Sequence, residues 1–395
     1  MRRGLVIAFF LFVCFGLLLL RCTSSDPSMP AVALSYPDSL TLAPVDTLFF
    51  DIDEEVGFEQ HSIHYNRELD VFSFFNEPTA TLYLYRYSTQ QLLEKIKYAM
   101  EGPDGLGNTY KMGHAYFGPD SIFFYQYPKG EFILADRAGK VKRRWVIDRD
   151  AFASVAPVDI RTLTPITKIE DALYSVGLYL DPAMRRNQIL NVTILSLKDH
   201  VFKAVLPGPE IYHGGAWGNI MQYQLFYTYN PSSGKLVYSF ALDPYILEMD
   251  TQGNMHRHLL SSRYLPEVPE PMSDNPLDHL KDKERGERYD FTHANYHAIL
   301  YDYKHGLYYR FASLKLSEEE YLDRKKGMKI QKPLSVIISD ENFRKIGETA
   351  LPISEGLYVP MTLITADGML VGNEKLHRNN ENKMPFTVFQ PAAKQ

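Results

Sequence analysis

Cysteine is almost missing from this 395-residue chain, and the two it has, Cys14 and Cys22, both lie near the N-terminus. Everything after Cys22 therefore carries neither a disulfide nor a thiolate metal site, and its stability must come from a buried core. Basic blocks are missing too. With Arg2, Arg3 and Arg21 set aside, 39 Lys and Arg face 48 Asp and Glu, a net charge of −9. Such a surface is a poor match for nucleic acid, and none is expected as a partner. The chain has no Gly-x-Ser-x-Gly elbow, no His-Glu-x-x-His pair and no Walker loop, which closes three common routes to catalysis. The glycines of 102–107 suggest a phosphate loop, but no Lys-Ser/Thr follows them, and the segment reads as a turn.

Charge is also absent from one long run. After Met1-Arg2-Arg3, residues 4–20 are Gly, Val, Ile, Ala, Phe, Leu and Cys only. This is the form of a signal sequence, and residues 1–21 are read as one. At about 17 residues the run is near the lower limit for a spanning helix, so an uncleaved anchor is the alternative. Leu-Leu-Leu-Arg21-Cys22 resembles a lipoprotein signal, in which cleavage leaves Cys22 as a lipidated N-terminus. Each buried methylene contributes about 0.8 kcal/mol, so several acyl chains hold firmly. Arg21 departs from the small residue usual before that cysteine. The polar, proline-containing stretch 22–37 then serves as a tether, and the expected location is the cell envelope, at the outer membrane or the periplasmic face.

What the chain has in quantity is aromatic residues, 27 Tyr and 23 Phe. Period-2 runs such as Val71-Phe72-Ser73-Phe74-Phe75, Thr81-Leu82-Tyr83-Leu84-Tyr85-Arg86-Tyr87 and Ile122-Phe123-Phe124-Tyr125-Gln126-Tyr127 recur throughout, while helical periodicity is nearly absent. The fold class is all-β. Similar turns recur at 134–141, 249–255 and 338–346, with weaker copies at 87–92 and 197–201. Each is a hairpin signal. Apart from one doubled gap that holds two polar insertions, their spacing of roughly 50 to 60 residues indicates a β-propeller, since a four-stranded blade takes about 40 to 50. Six blades are expected, approximately 54–105, 106–155, 160–210, 211–262, 290–350 and 351–392. The strand at 45–53 would complete the last blade and close the ring of a 38–395 domain, removing exposed sheet edges. Two β-sandwich domains are the competing architecture. Polar insertions interrupt the pattern at about 266–289 and 315–332, and Ser317 with Glu320 makes a capping box for a short helix in the second.

The segment 93–107, with Glu101-Gly102-Pro103-Asp104-Gly105, resembles a blade terminus of bacterial envelope lipoproteins of unknown function with a six-bladed, NHL- or TolB-like β-propeller. Gly118-Pro119-Asp120-Ser121-Ile122 and Asp136-Arg137-Ala138-Gly139-Lys140-Val141 fit the same pattern. The resemblance implies a propeller fold and an envelope location. It carries no agreed activity, so no catalytic residue is transferred.

Candidate binding residues come from two places. His213-Gly214-Gly215-Ala216-Trp217-Gly218-Asn219 has glycines that let backbone approach a ligand and a Trp217 ring that could stack on one, with a tight crossover between blades as the alternative. His293 and His297, four apart, and His256 and His258, two apart, would each share one face of a strand; His61 and His64 are a further close pair. No pair has a third ligand in view, so neither a metal nor a cofactor is expected. Alternating tyrosines at 83, 85 and 87 suit a carbohydrate platform, and suit blade packing better. The functional expectation is a ligand- or protein-binding module with an envelope protein or glycan as partner; the alternative is a propeller enzyme, a glycan hydrolase or lyase.

Overall fold

In a computed structural model the alternating runs form twenty-four strands and three short helices among the described residues. The structure describes residues 38–394 apart from 128, 148–158, 177–189, 208, 251, 266–267, 276–277 and 279–281, with backbone only at 190–193, 203–207, 213 and 220–221. The expected signal sequence, Cys22 and the tether 22–37 lie outside the described residues.

Strand β1 (Leu40–Asp51) comes first and pairs with the last strand of the chain. Four antiparallel sheets follow in chain order. The first holds β2 (Ile63–Asn66), β3 (Val71–Asn76), β4 (Thr81–Arg86) and β5 (Gln91–Lys97). The second holds β6 (Met112–Tyr116), β7 (Ile122–Gln126), β8 (Glu131–Ala135) and β9 (Val141–Val146). The third is β10 (Thr167–Ile169), β11 (Ala172–Val176), β12 (Leu190–Ser196) and β13 (Phe202–Pro207), and the fourth is β14 (Leu225–Asn230), β15 (Lys235–Phe240), β16 (Tyr245–Met249) and β17 (Met255–Leu259).

The remaining strands share one eight-stranded sheet. After helix α1 (Lys283–Thr292) come β18 (Asn295–Asp302) and β19 (Leu307–Ser313), then helix α2 (Glu318–Lys325), β20 (Leu334–Ser339) and β21 (Lys345–Leu351). Then follow β22 (Leu357–Thr365), β23 (Gly368–Asn373), helix α3 (Glu374–Asn379) and β24 (Lys383–Ala393). The order β18-β19-β20-β21-β1-β24-β23-β22 is two antiparallel quartets joined at a single parallel pair, Leu40 with Gly347. Strand β1 lies antiparallel to β24 from Leu40 opposite Ala393 to Asp51 opposite Lys383. The carboxylate of Asp38 fastens its start, accepting from Glu348 N (3.2 Å), Arg263 Nη2 (2.7 Å) and Lys394 Nζ.

The turn signals in the sequence correspond to one recurring element, the hairpin between the third and fourth strands of a sheet. In β8–β9, β16–β17 and β20–β21 an Asp opens the turn, and its Oδ1 accepts from the N–H groups two and four residues on, at 2.8–3.0 Å. The fourth residue of each turn has positive φ: Gly139 at +80°, Gly253 at +86° and Phe343 at +60°. Phe343 takes the glycine's place while its ring is buried against Tyr308 and His258, with centroids at 4.9 and 4.4 Å. That burial, about 1.5–3 kcal/mol for a Phe side chain, offsets the cost of the conformation.

The core lies between sheets. One apolar cluster joins the first sheet to the second, another the second to the third, another the third to the fourth, and a larger one the fourth to both halves of the eight-stranded sheet. A fifth joins the last quartet back to the first sheet, through Phe50, Phe386, Met361 and Leu370 against Phe72, Phe74, Tyr83 and Tyr85. Phe50 stacks on Phe72 with centroids 4.0 Å apart. The alternating tyrosines belong to this packing. Tyr83 OH donates to Asp53 (2.9 Å), Tyr85 OH to the Asp51 carbonyl (2.5 Å) and Tyr87 OH to Asp367 (2.7 Å), so a buried ring and a satisfied hydroxyl come from one residue. Between the fourth and fifth quartets, fully buried Arg310 lies 3.5 Å over the Tyr296 ring and donates to the carbonyls of Pro244, Leu260 and Asp243. Where first strands of neighbouring sheets meet, β2 lies against β6 and β22, and β18 against β14 and β22. The first strands are therefore the inner ones.

Candidate functional site

Three of the inner strands carry a histidine: His64 on β2, His114 on β6 and His297 on β18. His61 precedes β2, and the segment 159–164, between the second and third sheets, folds onto it. Ile63 N donates to Thr162 Oγ1 (3.0 Å) and Thr162 N to the His61 carbonyl (3.4 Å). This stitching brings Asp159 and Arg161 beside the His61 ring: His61 Nε2 is 3.9 Å from Asp159 Oδ1, and Arg161 Nε is 3.0 Å from Asp159 Oδ2. Neither approach makes a hydrogen bond. His61 Nε2, Asp159 Oδ1 and Arg161 Nε are all buried without a hydrogen-bond partner. Buried polar atoms are ordinarily paired, so three together mark a place where the fold has not been arranged for its own stability alone.

Other imidazoles line the same inner surface. His64 on β2 accepts from Tyr116 N at Nδ1 (3.3 Å), and its ring is 6.4 Å from that of His114. His114 is almost fully buried, with Nε2 2.9 Å from Ser73 Oγ. His297 on β18 packs against Phe226. Burial holds His64 neutral, pushing it down to about 4. Burial also pushes His297 to about 4, and the charges of Arg161 and Lys332 add to this. For His61 burial again dominates; the Asp159 charge resists it, Arg161 and Lys111 reinforce it, and the result is about 4. At neutral pH these imidazoles are neutral. Among the described residues no group of three His, Cys, Asp or Glu side chains is placed to hold a metal ion.

The candidates from the sequence divide. Trp217 and Asn219 do come together with His293, around helix α1. Trp217 is only 4% exposed, in a cluster with Tyr212, Tyr223 and Tyr289, so neither face of its ring is open to a ligand. Gly218, at φ +52°, lets the loop approach α1 so closely that a Cβ there would collide with Asp290 Oδ1, and Asn219 N donates to that oxygen (3.0 Å). The close approach the glycines suggested is thus to the chain's own first insertion, which carries α1. Of His213 the structure describes the backbone, in a turn of 3-10 helix. His293 and His297 do not share a strand face. β18 begins at Asn295, and His293 instead caps α1 and stacks on Tyr289 at 3.8 Å. His297 alone reaches the inner surface. Asp159 and Arg161 went unnoticed in the sequence, where Asp-Ile-Arg is an ordinary charged pair before a strand.

Residues 39–350 match DUF4221, a domain of unknown function. The chain belongs to the DUF4221 family. No curated protein matches it. Among solved structures, a DUF4221 member from Bacteroides vulgatus is similar at 20% identity with a TM-score of 0.73, over 90% of this chain and 99% of that one. At this identity the likeness shows the fold alone. A candidate exported protein of Bacteroides fragilis aligns at 11% identity and TM-score 0.49, over 90% of this chain and 96% of that one. A gluconolactonase of Xanthomonas campestris, a protein of propeller type, aligns at 8% and 0.43, over 87% and 90%. The all-β, propeller-like architecture of this DUF4221 chain accords with the strand pattern of its sequence. Among its described residues no helix is long and apolar enough to cross a membrane.

Proposed function

We propose that residues 38–395 form a six-bladed β-propeller closed by β1, held at the cell envelope by lipid on Cys22, and that it binds a small ligand where the inner strands converge. Closure is supported by the cyclic order of the core clusters and by β1, which occupies in the last quartet the place that a hairpin's fourth strand fills in the others. Ligand binding rests on one observation: His61 Nε2, Asp159 Oδ1 and Arg161 Nε lie together, buried and without a hydrogen-bond partner. Binding is favoured over acid–base catalysis because an imidazole held near 4 is a weak base at neutral pH. A glycan or envelope protein is the proposed source of that ligand.

Two measurements test this. A thermal-shift screen of small molecules on the full chain is expected to give hits that Arg161→Ala and His61→Ala abolish; hits of equal size in both variants would place binding elsewhere. Membrane fractionation of Cys22→Ala is expected to release the protein, and continued membrane association would remove the lipid anchor.

A further inference from the structure

We infer that the His61–Asp159–Arg161 corner takes two neighbouring hydroxyl groups of a sugar. This rests on reading the corner as a ligand site and specifies what enters it. The Ile160 carbonyl hydrogen-bonds the His61 ring. Because Nε2 has no partner, the donor is Nδ1, and the neutral ring keeps its lone pair on Nε2. Asp159 Oδ1 is an acceptor too, so two acceptors face each other 3.9 Å apart with no proton between them. An oxygen about 2.8 Å from each would bridge that gap once the side chains open to admit it. Arg161 Nε supplies the one donor.

The complement wanted is therefore two O–H donors and an oxygen lone pair. A vicinal diol has it: one hydroxyl donates to Asp159 Oδ1, its neighbour to His61 Nε2, and Arg161 Nε–H donates to either oxygen. A single hydroxyl leaves one acceptor unmet. A carboxylate or phosphate would bring further lone pairs against the two acceptors. An ammonium would satisfy both acceptors but meet the positive charges of Arg161 and Lys111, which already act on the His61 ring. The side chains of His61, Asp159 and Arg161 keep 17, 37 and 28% of their surface exposed while Nε2, Oδ1 and Nε themselves are buried, so a ligand reaches these atoms by a rotation of side chains that already border solvent. Water has the same complement as the diol and is its rival.

The test is isothermal titration of the full chain in detergent micelles with mannose, galactose, fucose and N-acetylglucosamine oligosaccharides, and with acetate and inorganic phosphate. At least one sugar is expected to bind, with about tenfold or greater loss for its deoxy analogue lacking one hydroxyl of the pair and for Asp159→Asn and His61→Phe. Arg161→Lys, which keeps the charge but loses the fork, is expected to weaken binding similarly. Variants are compared only where their urea midpoints show a folded protein. If acetate or phosphate binds through Arg161 while no sugar does, the corner is a ligand site but the diol assignment is overturned. If nothing binds and the variants change only stability, the corner holds structural water, and both readings fail.

Discussion

The inner histidines give the molecule a definite acid response. His61, His64 and His297 are each held at about 4 in the fold, against an ordinary value near 6.5. A depressed value means that the unfolded chain takes up protons that the folded chain refuses. The associated stability is complete above about pH 6.5 and is lost as pH falls through about 4. Asp290 works the other way. Burial raises it to about 6, so over part of this range the fold binds an extra proton there, which offsets part of the histidine effect. Urea unfolding at stepped pH should show stability falling between pH 6.5 and 4, and His64→Gln should make that fall shallower by up to about one proton. An unchanged slope would mean that His64 is charged in the fold. None of this could be read from the sequence, where the histidines stood out only as close pairs and their burial depends on which strands become the inner ones.

At the level of elements, the hairpins were the legible part. Alternation with period 2 and an Asp-initiated turn are local signals, and each needs only about five residues to satisfy its own hydrogen bonds. Hence the turns at 134–141, 249–255 and 338–346 could be located without knowing what they join. The turn itself makes a clean prediction at Gly253, whose added Cβ would meet nothing within 4 Å although φ is +86°. Gly253→Ala should therefore cost only the backbone term, about 1 kcal/mol, visible as a lower urea midpoint with an unchanged slope. A neutral result would mean the turn relaxes to another form. Helix α2 was legible for the same local reason: Ser317 Oγ accepts from Glu320 N (3.2 Å) and Glu320 Oε2 from Ser317 N (2.7 Å). Helix α1 was not. Its Asp282 cap and Gly286 carry no apolar periodicity, and Gly286 matters only because Gly218 packs against it.

At the scale of the whole molecule, the proposed function goes with closure, because a closed ring would turn residues 61, 159 and 297 toward one centre. That convergence is long-range, which is why the sequence yielded the repeat but placed candidates at Trp217 and His293, both of which serve the packing of an insertion. In a closed ring β1 is no loose terminal strand. It is paired with β24, joined to β21 at Leu40, and fastened by Asp38 to Arg263 and Lys394. Native-state hydrogen exchange as a function of denaturant measures this directly. The β1 amides bonded to β24 should exchange only through global unfolding, their isotherms merging with those of β7 and β19 in the interior of other sheets. Exchange of β1 at low denaturant, independent of the other strands, would show an open array and contradict the ring.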